Sequence, residues 1–279
     1  MKRVSDPRAL REVLATGGGR LAFVPTMGNL HEGHLTLVRR ARELADRVVV
    51  SIFVNPLQFD RPEDLEAYPR TLEADAALLQ REGVAVLFTP EVDAIYPEGM
   101  ARHTRVEVPV VSEGLCGAAR PGHFTGVATI VCKLFNLVRP DLALFGKKDY
   151  QQLLVVKKMV ADLAIPVEIV AVGTVREPDG LAMSSRNGRL TAEERSQAPV
   201  LYRALEEAAR ALKAGRSDYA NLQRAGLTRI EAAGLRPDYF EIRRADDLGA
   251  PAPDERRLVV LAAAFLGKAR LIDNVEVTR

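Results

Sequence analysis

Residues 21–38, LAFVPTMGNLHEGHLTLV, constrain the fold of this chain more than any other stretch. The first four residues are apolar and partly branched, as in a buried strand, and Pro25 and Gly28 end that run. From Leu30 the apolar residues recur with a helical period, with Asn29 as the expected cap. Residues 48–54, VVVSIFV, again have the pattern of a buried strand. The stretch therefore predicts a βαβ unit, which places the turn and the helix N-terminus at the carboxyl edge of a parallel sheet.

That edge of a sheet suits an anion, because the first N–H groups of a helix and its dipole can hold a phosphate. His31 and His34 are three residues apart and share one face of the first turn, where each could donate a hydrogen bond or a proton. Gly33 leaves room for a flat ring or a ribose. Two alternatives stay open: a zinc site, which prefers histidines four apart, and histidines that only cap the helix or fill the core.

The same alternation of strands and helices continues to about residue 172. We predict strands over 84–88, 141–145 and 166–172 and a possible edge strand over 104–108. Helices are predicted over 71–82 and 126–138, and a further helix follows FGKKDYQQ and ends near residue 163. This pattern predicts an α/β fold, a doubly wound, Rossmann-like parallel sheet.

After residue 189 the pattern changes. One amphipathic helix over 191–215, opened by a Thr191–Glu194 capping box, and a second over 217–233 precede three strand-like runs, the last two joined as a hairpin near residue 267. We expect a larger N-terminal domain over residues 1–175 and a smaller α+β domain over 176–279.

Composition excludes several classes of partner. The 39 basic and 37 acidic residues give a net charge of +2, which offers no electrostatic case for nucleic acid or a membrane surface. Cys116 and Cys132 are too few for a disulfide framework, the opening residues lack the apolar core of a signal peptide, and no apolar run is long enough to span a membrane. We expect a cytoplasmic protein.

Three further motifs fall at or near predicted strand ends. GKKDYQQ (146–152) offers two lysines, an aspartate and amides, although KKD is also an ordinary helix start. FVNPLQF (53–59) offers Asn55 and Gln58, whose amides suit a hydroxy acid, or which cap the loop backbone. REPDGLAMSSRNGRL (176–190) is either a mobile loop that supplies hydroxyls and a cation or a plain interdomain linker.

These motifs together resemble a known family. PTMGNLHEGH is similar to the H-x-G-H signature of the nucleotidyltransferase superfamily that includes class I aminoacyl-tRNA synthetases. More narrowly, PTMGNLHEGH, FVNPLQF, RPGHFTGV, FGKKDYQQ and the MSSRN loop resemble, in this order, the pantothenate synthetase (pantoate–β-alanine ligase) family. The resemblance is specific from about residue 23 to residue 190, and the C-terminal third matches in length and element order.

The resemblance implies a ligase that joins (R)-pantoate to β-alanine with ATP, through a pantoyl adenylate, in pantothenate and coenzyme A biosynthesis. Residues 1–175 would be the catalytic domain that binds ATP and pantoate, and residues 176–279 would close over the site. The resemblance also implies Mg²⁺ bound mainly through the ATP phosphates, with no protein ligand assigned, and a homodimer. RPGHFTGV would form part of the substrate-site wall or of a subunit contact.

The resemblance also assigns residues to roles. The catalytic groups would be His31, His34, Lys148, Ser184, Ser185 and Arg186. ATP would contact Met27, Gly28, Asn29, Leu30, His31, Glu32, Gly33, His34, Gly146, Lys147, Lys148, Asp149, Val175, Met183, Ser184, Ser185 and Arg186. Pantoate and β-alanine would contact Asn55, Gln58 and Gln152. The family usually has Glu where this chain has Lys147, so the lysine role is carried over to Lys148 and that of Lys147 stays open.

Other functions compete with this interpretation. An adenylyltransferase of the same superfamily would keep AMP in its product, and the H-x-G-H motif alone does not separate the two. A non-catalytic nucleotide sensor would need the phosphate site without acid-binding amides or a mobile MSSRN loop. An aminoacyl-tRNA synthetase would need a basic RNA-binding domain, which the charge balance does not support.

Overall fold

The computed structural model describes residues 1–60 and 62–279. These residues form two compact units, Met1–Lys147 with Gln151–Gly173 and Lys148–Tyr150 with Thr174–Arg279. Each unit has its own sheet and its own hydrophobic core.

The first unit contains a six-stranded sheet in which all neighbouring strands are parallel. Its strands are β1 (Lys2–Val4), β2 (Leu21–Thr26), β3 (Arg47–Ile52), β4 (Val86–Phe88), β5 (Leu142–Gly146) and β6 (Glu168–Val172). Their order in space is β1-β4-β3-β2-β5-β6. The winding direction reverses between β2 and β5, and open α/β sheets bind ligands at such a switch point.

Helices cover both faces of this sheet, because successive residues of a strand point to opposite faces. In β2, Phe23 packs in one core cluster with Phe135, while Val24 packs in the other with Val38. The helices are α1 (Pro7–Ala15), α2 (Glu32–Leu44), α3 (Pro62–Glu66), α4 (Leu72–Arg81), α5 (Val92–Ile95), α6 (Leu115–Ala119), α7 (His123–Val138) and α8 (Tyr150–Asp162). The predicted doubly wound sheet is confirmed. No helix among the described residues is both long and apolar enough to cross a bilayer.

The predicted edge strand over 104–108 is wrong. These residues pair with no strand, and the Val106 N–H donates instead to the Thr129 side chain of α7 (2.9 Å). One edge of the sheet is β1, whose three residues pair with β4. A strand this short carries no readable period, because its partner rather than its own sequence defines it.

The second unit packs three helices on a three-stranded antiparallel sheet, which confirms the predicted α+β arrangement. The helices are α9 (Ala192–Gln197), α10 (Val200–Lys213) and α11 (Tyr219–Ala232), and the strands, in spatial order, are β7 (Arg236–Arg244), β8 (Arg257–Leu266) and β9 (Ala269–Thr278). The expected hairpin joins β8 to β9. The close approach of α11 to β7 needs Gly226, because a Cβ there would lie 2.5 Å from the Phe240 ring.

The single helix predicted over 191–215 is two helices. The capping box of Thr191 and Glu194 opens α9 as expected, but α9 ends at Gln197 and α10 begins at Val200. Pro199 lies at the break. Proline lacks an N–H and its ring clashes with the preceding turn, which interrupts the helix. The amphipathic period of the sequence continues past this point, and for that reason the sequence predicts one helix.

Candidate active site

The His31–His34 turn is the first part of the candidate site. His31 is the N-cap of α2, and its Nδ1 accepts the Gly33 N–H (3.2 Å). In return, the His31 N–H donates to Nδ1 of His34 (3.3 Å), and the two rings lie 4.2 Å apart between centroids. The two side chains therefore form a reciprocal capping box.

This geometry fixes the tautomer of both rings. A backbone N–H can only donate, so each Nδ1 that accepts one carries no proton. The proton of each neutral ring then lies on Nε2, which is the atom that can donate to an anion. Capping was one of the alternatives left open by the sequence, and it is compatible with phosphate handling because the two roles use different nitrogens.

The cap of α2 is His31 and not the expected Asn29, and several backbone N–H groups around this turn are bonded within the protein. Asn29 has a left-handed φ of 52°, and its N–H donates to the Asp75 carboxylate (2.8 Å), as does the Leu30 N–H (2.8 Å). The N–H groups of Gly33 and His34 also have partners within the turn. Four N–H groups of this segment, those of Asn29, Leu30, Gly33 and His34, are therefore already bonded within the protein.

The other predicted ATP contacts of this segment have internal partners. The Met27 sulfur accepts a hydrogen bond from Gln58 (3.0 Å), and Glu32 forms an ion pair with Arg39. Leu30 packs against the core beside α2. Gly28 has a φ of 80°, and a Cβ there would lie 3.1 Å from the Asp75 carboxylate.

Gln58 has an amide that can exchange partners. It is 8% exposed, its Oε1 accepts from the Asn55 amide (3.2 Å), and its Nε2 donates to the Met27 sulfur. Sulfur is a weak acceptor, so a hydroxyl or carboxylate oxygen of a ligand would be a better partner for this N–H. This geometry suits the predicted contact with a hydroxy acid.

Asn55, by contrast, is used within the protein. It is 1% exposed, its amide donates to Gln58 and to the Gly126 carbonyl (3.1 Å), and its oxygen accepts from the Tyr96 hydroxyl (2.7 Å) and the Leu57 N–H (3.4 Å). Its two donors and two acceptor positions are thus occupied. Asn55 therefore caps the turn and bonds to the Gln58 side chain, as the capping alternative predicts, and its contact with the acid stays a prediction.

The RPGHFTGV motif also holds Gln58. The carbonyl of Gln58 accepts from Nδ1 of His123 (2.8 Å) and from the Arg120 guanidinium (3.1 Å). Gly126 lies so close that a Cβ would be 2.3 Å from the Leu57 carbonyl oxygen. The motif therefore supports the turn Pro56–Gln58.

The two adjacent glutamines of GKKDYQQ have different environments in the structure. Gln151 is buried, and its amide bonds to backbone groups of the 111–116 segment, including the Val111 carbonyl (3.1 Å) and the Cys116 N–H (3.0 Å). Gln152 is half-buried, and its contact with the acid stays a prediction. Gly146 ends β5, at the switch point, and Lys147 begins the 3₁₀ turn Lys147–Asp149.

In the second unit, Lys148 is held by the last strand. Its carbonyl accepts from the Asn274 amide of β9 (2.9 Å), and its Nζ lies 3.7 Å from the Asp149 carboxylate. Lys148, Ser184, Arg186, Asn187 and Asp273 line one pocket of this unit. The Asn187 side-chain oxygen is buried and accepts no hydrogen bond from the part of the chain that the structure describes. One hydroxyl, one amide and three cations, the third being Arg270, thus line this pocket, whereas Ser185 is not among the lining residues.

The MSSRN loop starts from a rigid base. Residues 176 and 182 pair across a short hairpin, and the Met183 N–H donates to the Val175 carbonyl (3.0 Å). Arg176 binds Asp273 of β9 through two hydrogen bonds (2.6 and 3.0 Å) and stacks 3.7 Å from the centre of the Tyr202 ring. Burial raises the pKa of Asp273, and Arg176 opposes that rise.

Sequence reasoning missed Asp75, Asp273 and Asn274. None belongs to a motif, and each acts on a segment far from it in the chain. A single aspartate in a helix or a strand gives no signal of such a contact, because the fold alone brings the partner close.

The fold and the site define the class of α/β enzymes that bind a nucleotide at the switch point of a parallel sheet. The family model described as Pantoate-beta-alanine ligase matches residues 1–276. The chain belongs to this family, and the resemblance seen in the sequence is confirmed.

Relatives and solved structures agree with the family. A protein named pantothenate synthetase from Thioalkalivibrio sulfidiphilus is 61% identical over 93% of this chain and 91% of its own length. The crystal structure of pantothenate synthetase from Thermus thermophilus has a TM-score of 0.92, is 49% identical and covers 100% of both chains. A pantoate-beta-alanine ligase from Francisella tularensis, complexed with Beta-gamma ATP and Beta-alanine, has a TM-score of 0.83, is 34% identical and covers 99% of this chain and 97% of its own.

Proposed function

We propose that this chain catalyses the ATP-dependent condensation of (R)-pantoate with β-alanine to pantothenate, AMP and pyrophosphate. The observation that carries the proposal is the family match over residues 1–276. It is supported by the similarity, over 99% of the chain, to a ligase crystallised with Beta-gamma ATP and Beta-alanine.

In the first step, a pantoate carboxylate oxygen attacks the α-phosphorus of ATP. A new P–O bond forms, the bond to the β-phosphate breaks, and pyrophosphate leaves with its electron pair. The product is pantoyl adenylate. Negative charge grows on the transferred phosphoryl group and on the leaving pyrophosphate, so fixed donors and cations aimed at them lower the barrier.

His31 and His34 are suited to that charge because their Nε2 atoms are the protonated ones. Lys148 and Arg186 are suited to the negative charge because they are cations, and Ser184 because its hydroxyl can donate a hydrogen bond. The three residues line one pocket. Ser185, the remaining predicted ATP contacts and the role of Lys147 are proposed on the family resemblance alone.

In the second step, the β-alanine amine attacks the acyl carbon. A C–N bond forms, the C–O bond to AMP breaks, and the amine loses a proton. Gln58 and Gln152 are proposed to hold pantoate, with Gln58 near the amine. The roles of the two parts of the chain are proposals of the same kind: residues 1–175 bind ATP and pantoate, and residues 176–279 supply the loop that acts on the phosphates.

We propose Mg²⁺ as the companion of ATP. Within residues 1–60 and 62–279, no three His, Cys, Asp or Glu side chains are grouped to hold a metal ion. The ion would therefore be held mainly by ATP phosphate oxygens and water, an arrangement that Mg²⁺ commonly adopts. A homodimer and a cytoplasmic location follow from the family resemblance and are proposed on that ground.

The test is a mass-resolved assay of the purified protein with ATP, Mg²⁺ and pantoate, with and without β-alanine. We expect pantothenate and AMP in equal amounts only when the amine is present, and protein-bound pantoyl adenylate when it is absent. A stable nucleotidyl product would indicate an adenylyltransferase instead. ATP binding without turnover of any small acid would indicate a sensor.

A further inference from the structure

We propose that Asp75 is a positioning residue for the His31–His34 pair, because its buried carboxylate fixes the backbone from which the first turn of α2 starts. The proposal deepens the proposed function and rests on it for its kinetic test. No motif contains Asp75, and its contacts are to the backbone of Asn29 and Leu30 and to the Thr71 hydroxyl.

The carboxylate is fully engaged with the loop. Asp75 lies in α4 and is 2% exposed. Its Oδ2 accepts from the Asn29 N–H (2.8 Å) and the Thr71 hydroxyl (3.0 Å), and its Oδ1 accepts from the Leu30 N–H (2.8 Å). One side chain therefore holds two successive peptide groups of a loop 45 residues earlier in the chain.

This loop needs an external support. Gly28 and Asn29 both have left-handed φ angles, of 80° and 52°. Successive N–H groups in such a turn point into one concavity, which favours an anion. In this protein the anion is the Asp75 carboxylate, so the concavity serves to hold the loop and not to bind a ligand phosphate.

The support reaches the histidines through one peptide unit. Leu30, whose N–H is bound to Asp75, directly precedes His31, whose N–H donates to Nδ1 of His34. If residues 29 and 30 are released, the His31 N–H can leave the His34 ring. The ring would then lose both its fixed tautomer and its orientation, and Nε2 would no longer be aimed at a constant point.

Asp75→Asn is the informative variant. Both carboxylate oxygens accept from backbone N–H groups, so either orientation of the new amide sets an NH₂ donor against an N–H donor. The size of the side chain is unchanged, while one of the two loop contacts must be lost. The matched control is Asp141→Asn, because Asp141 accepts the Leu21 N–H with a single oxygen (2.6 Å) at the opposite end of β2, where an amide oxygen can take its place.

The kinetic test measures pantoate-dependent exchange between ATP and pyrophosphate, which reports the first step alone. We expect Asp75→Asn to slow the exchange about 100-fold, the cost of a small misplacement of a reacting group. His34→Ala should slow it by about two to four orders of magnitude. When His34 is already alanine, adding Asp75→Asn should cost only about 3-fold or less, because a positioning residue has nothing left to position. The Asp141→Asn control should stay within about 3-fold in both backgrounds.

A spectroscopic test does not depend on activity. The chain has four histidines, so the ¹⁵N signals of their rings can be assigned by single substitutions. We expect His31 and His34 to show the Nε2–H tautomer in the starting protein and His34 to lose it in Asp75→Asn. If Asp75→Asn does not fold, Thr71→Val, which removes one donor to Oδ2, should slow exchange about 3- to 10-fold with the same dependence on His34.

Two results would overturn the proposal. One is an Asp75→Asn cost that is the same with and without His34; the other is an unchanged pair of histidine spectra in the variant. If the starting protein shows no pantoate-dependent exchange, the proposed function fails, and the spectra still decide whether Asp75 holds the histidines.

Discussion

At the scale of single residues, the backbone of the turn that carries Gln58 is held by its neighbours. Its carbonyl is held by His123 and Arg120, its amide by Asn55, and its turn lies against the bare backbone of Gly126. Gly126 is not in a left-handed conformation, so the requirement for glycine is steric. A methyl group would occupy the position of the Leu57 carbonyl.

We therefore predict that Gly126→Ala displaces the turn Pro56–Gln58. Overpacking of this kind costs about 1–3 kcal/mol of unfolding free energy. The KM for pantoate should rise about tenfold or more, while the KM for ATP changes little, since Gln58 is proposed to bind the acid. Urea unfolding and steady-state kinetics measure the two effects. Gly18→Ala is the control, because a Cβ there meets no atom within 4 Å. Equal changes in both KM values would contradict the prediction.

The sequence identifies side chains by their chemical type and their motif, but it does not show which residues they contact. His31, His34 and Gln58 stand out because their spacing and neighbours carry a motif. Asp75 belongs to no motif, and the motif that contains Gly126 does not show what this glycine touches. The importance of both follows from the folded chain, where residues 30 and 75, and residues 57 and 126, lie in contact. For Asn55 the sequence offers two roles, a contact with the acid or a cap of the loop backbone, and the fold supplies the partners of the cap.

At the scale of elements, the hairpin over 176–182 is held to β9 by one buried ion pair. Asp273 is 4% exposed, and Arg176 also bonds to the carbonyls of Gly180 (3.0 Å) and Asn274 (3.3 Å). The MSSRN loop follows this hairpin directly. The base of the MSSRN loop is therefore fixed by a buried contact.

We predict that Arg176→Met lowers the unfolding free energy by about 3–5 kcal/mol, because it leaves the Asp273 carboxylate buried without its cation. The double variant with Asp273→Leu should recover most of that loss, since replacing both partners by apolar groups is often neutral. Unfolding in urea followed by circular dichroism measures both. A double variant as unstable as Arg176→Met would show that the ion pair is not the anchor.

The elements that could be predicted are those with a local period. Strands β2, β3, β5 and β6 and helix α2 carry their pattern within one segment, and the structure places them where the sequence does. The predictions of secondary structure are wrong where a contact with another segment, or a single proline, determines the conformation. Residues 104–108 alternate like a strand but give an N–H to Thr129, and Pro199 breaks a helix whose apolar face continues beyond it.

At the scale of the whole molecule, stability should depend on pH through a histidine outside the site. His103 lies edge-on to Tyr96, with 4.9 Å between ring centroids, and Lys133 is a nearby cation. Burial and that charge lower the pKa of His103 below its ordinary value of 6.5. The folded protein thus binds a proton here less readily than the unfolded chain does.

We predict that the unfolding free energy falls as the pH falls from 6.5 to the lowered pKa of His103, because only the unfolded chain takes up the proton in that range. The slope has an upper limit of about 1.4 kcal/mol per pH unit, the value for one proton. Thermal unfolding between about pH 7.5 and 5 measures it. His103→Phe keeps the ring contact and should flatten the curve, and an identical slope in this variant would contradict the assignment.

The bond between Asn274 and Lys148 has a consequence for synthesis. Ribosomes make the chain from its N-terminus, and the amide that holds the Lys148 carbonyl is added 126 residues after the lysine. At about 5–20 residues per second, that delay is roughly 6 to 25 s. For most of this time the six strands of the parallel sheet are already complete, while the segment that carries Lys148 lacks its anchor. The nascent chain can therefore complete its parallel sheet well before the segment that carries Lys148 is anchored.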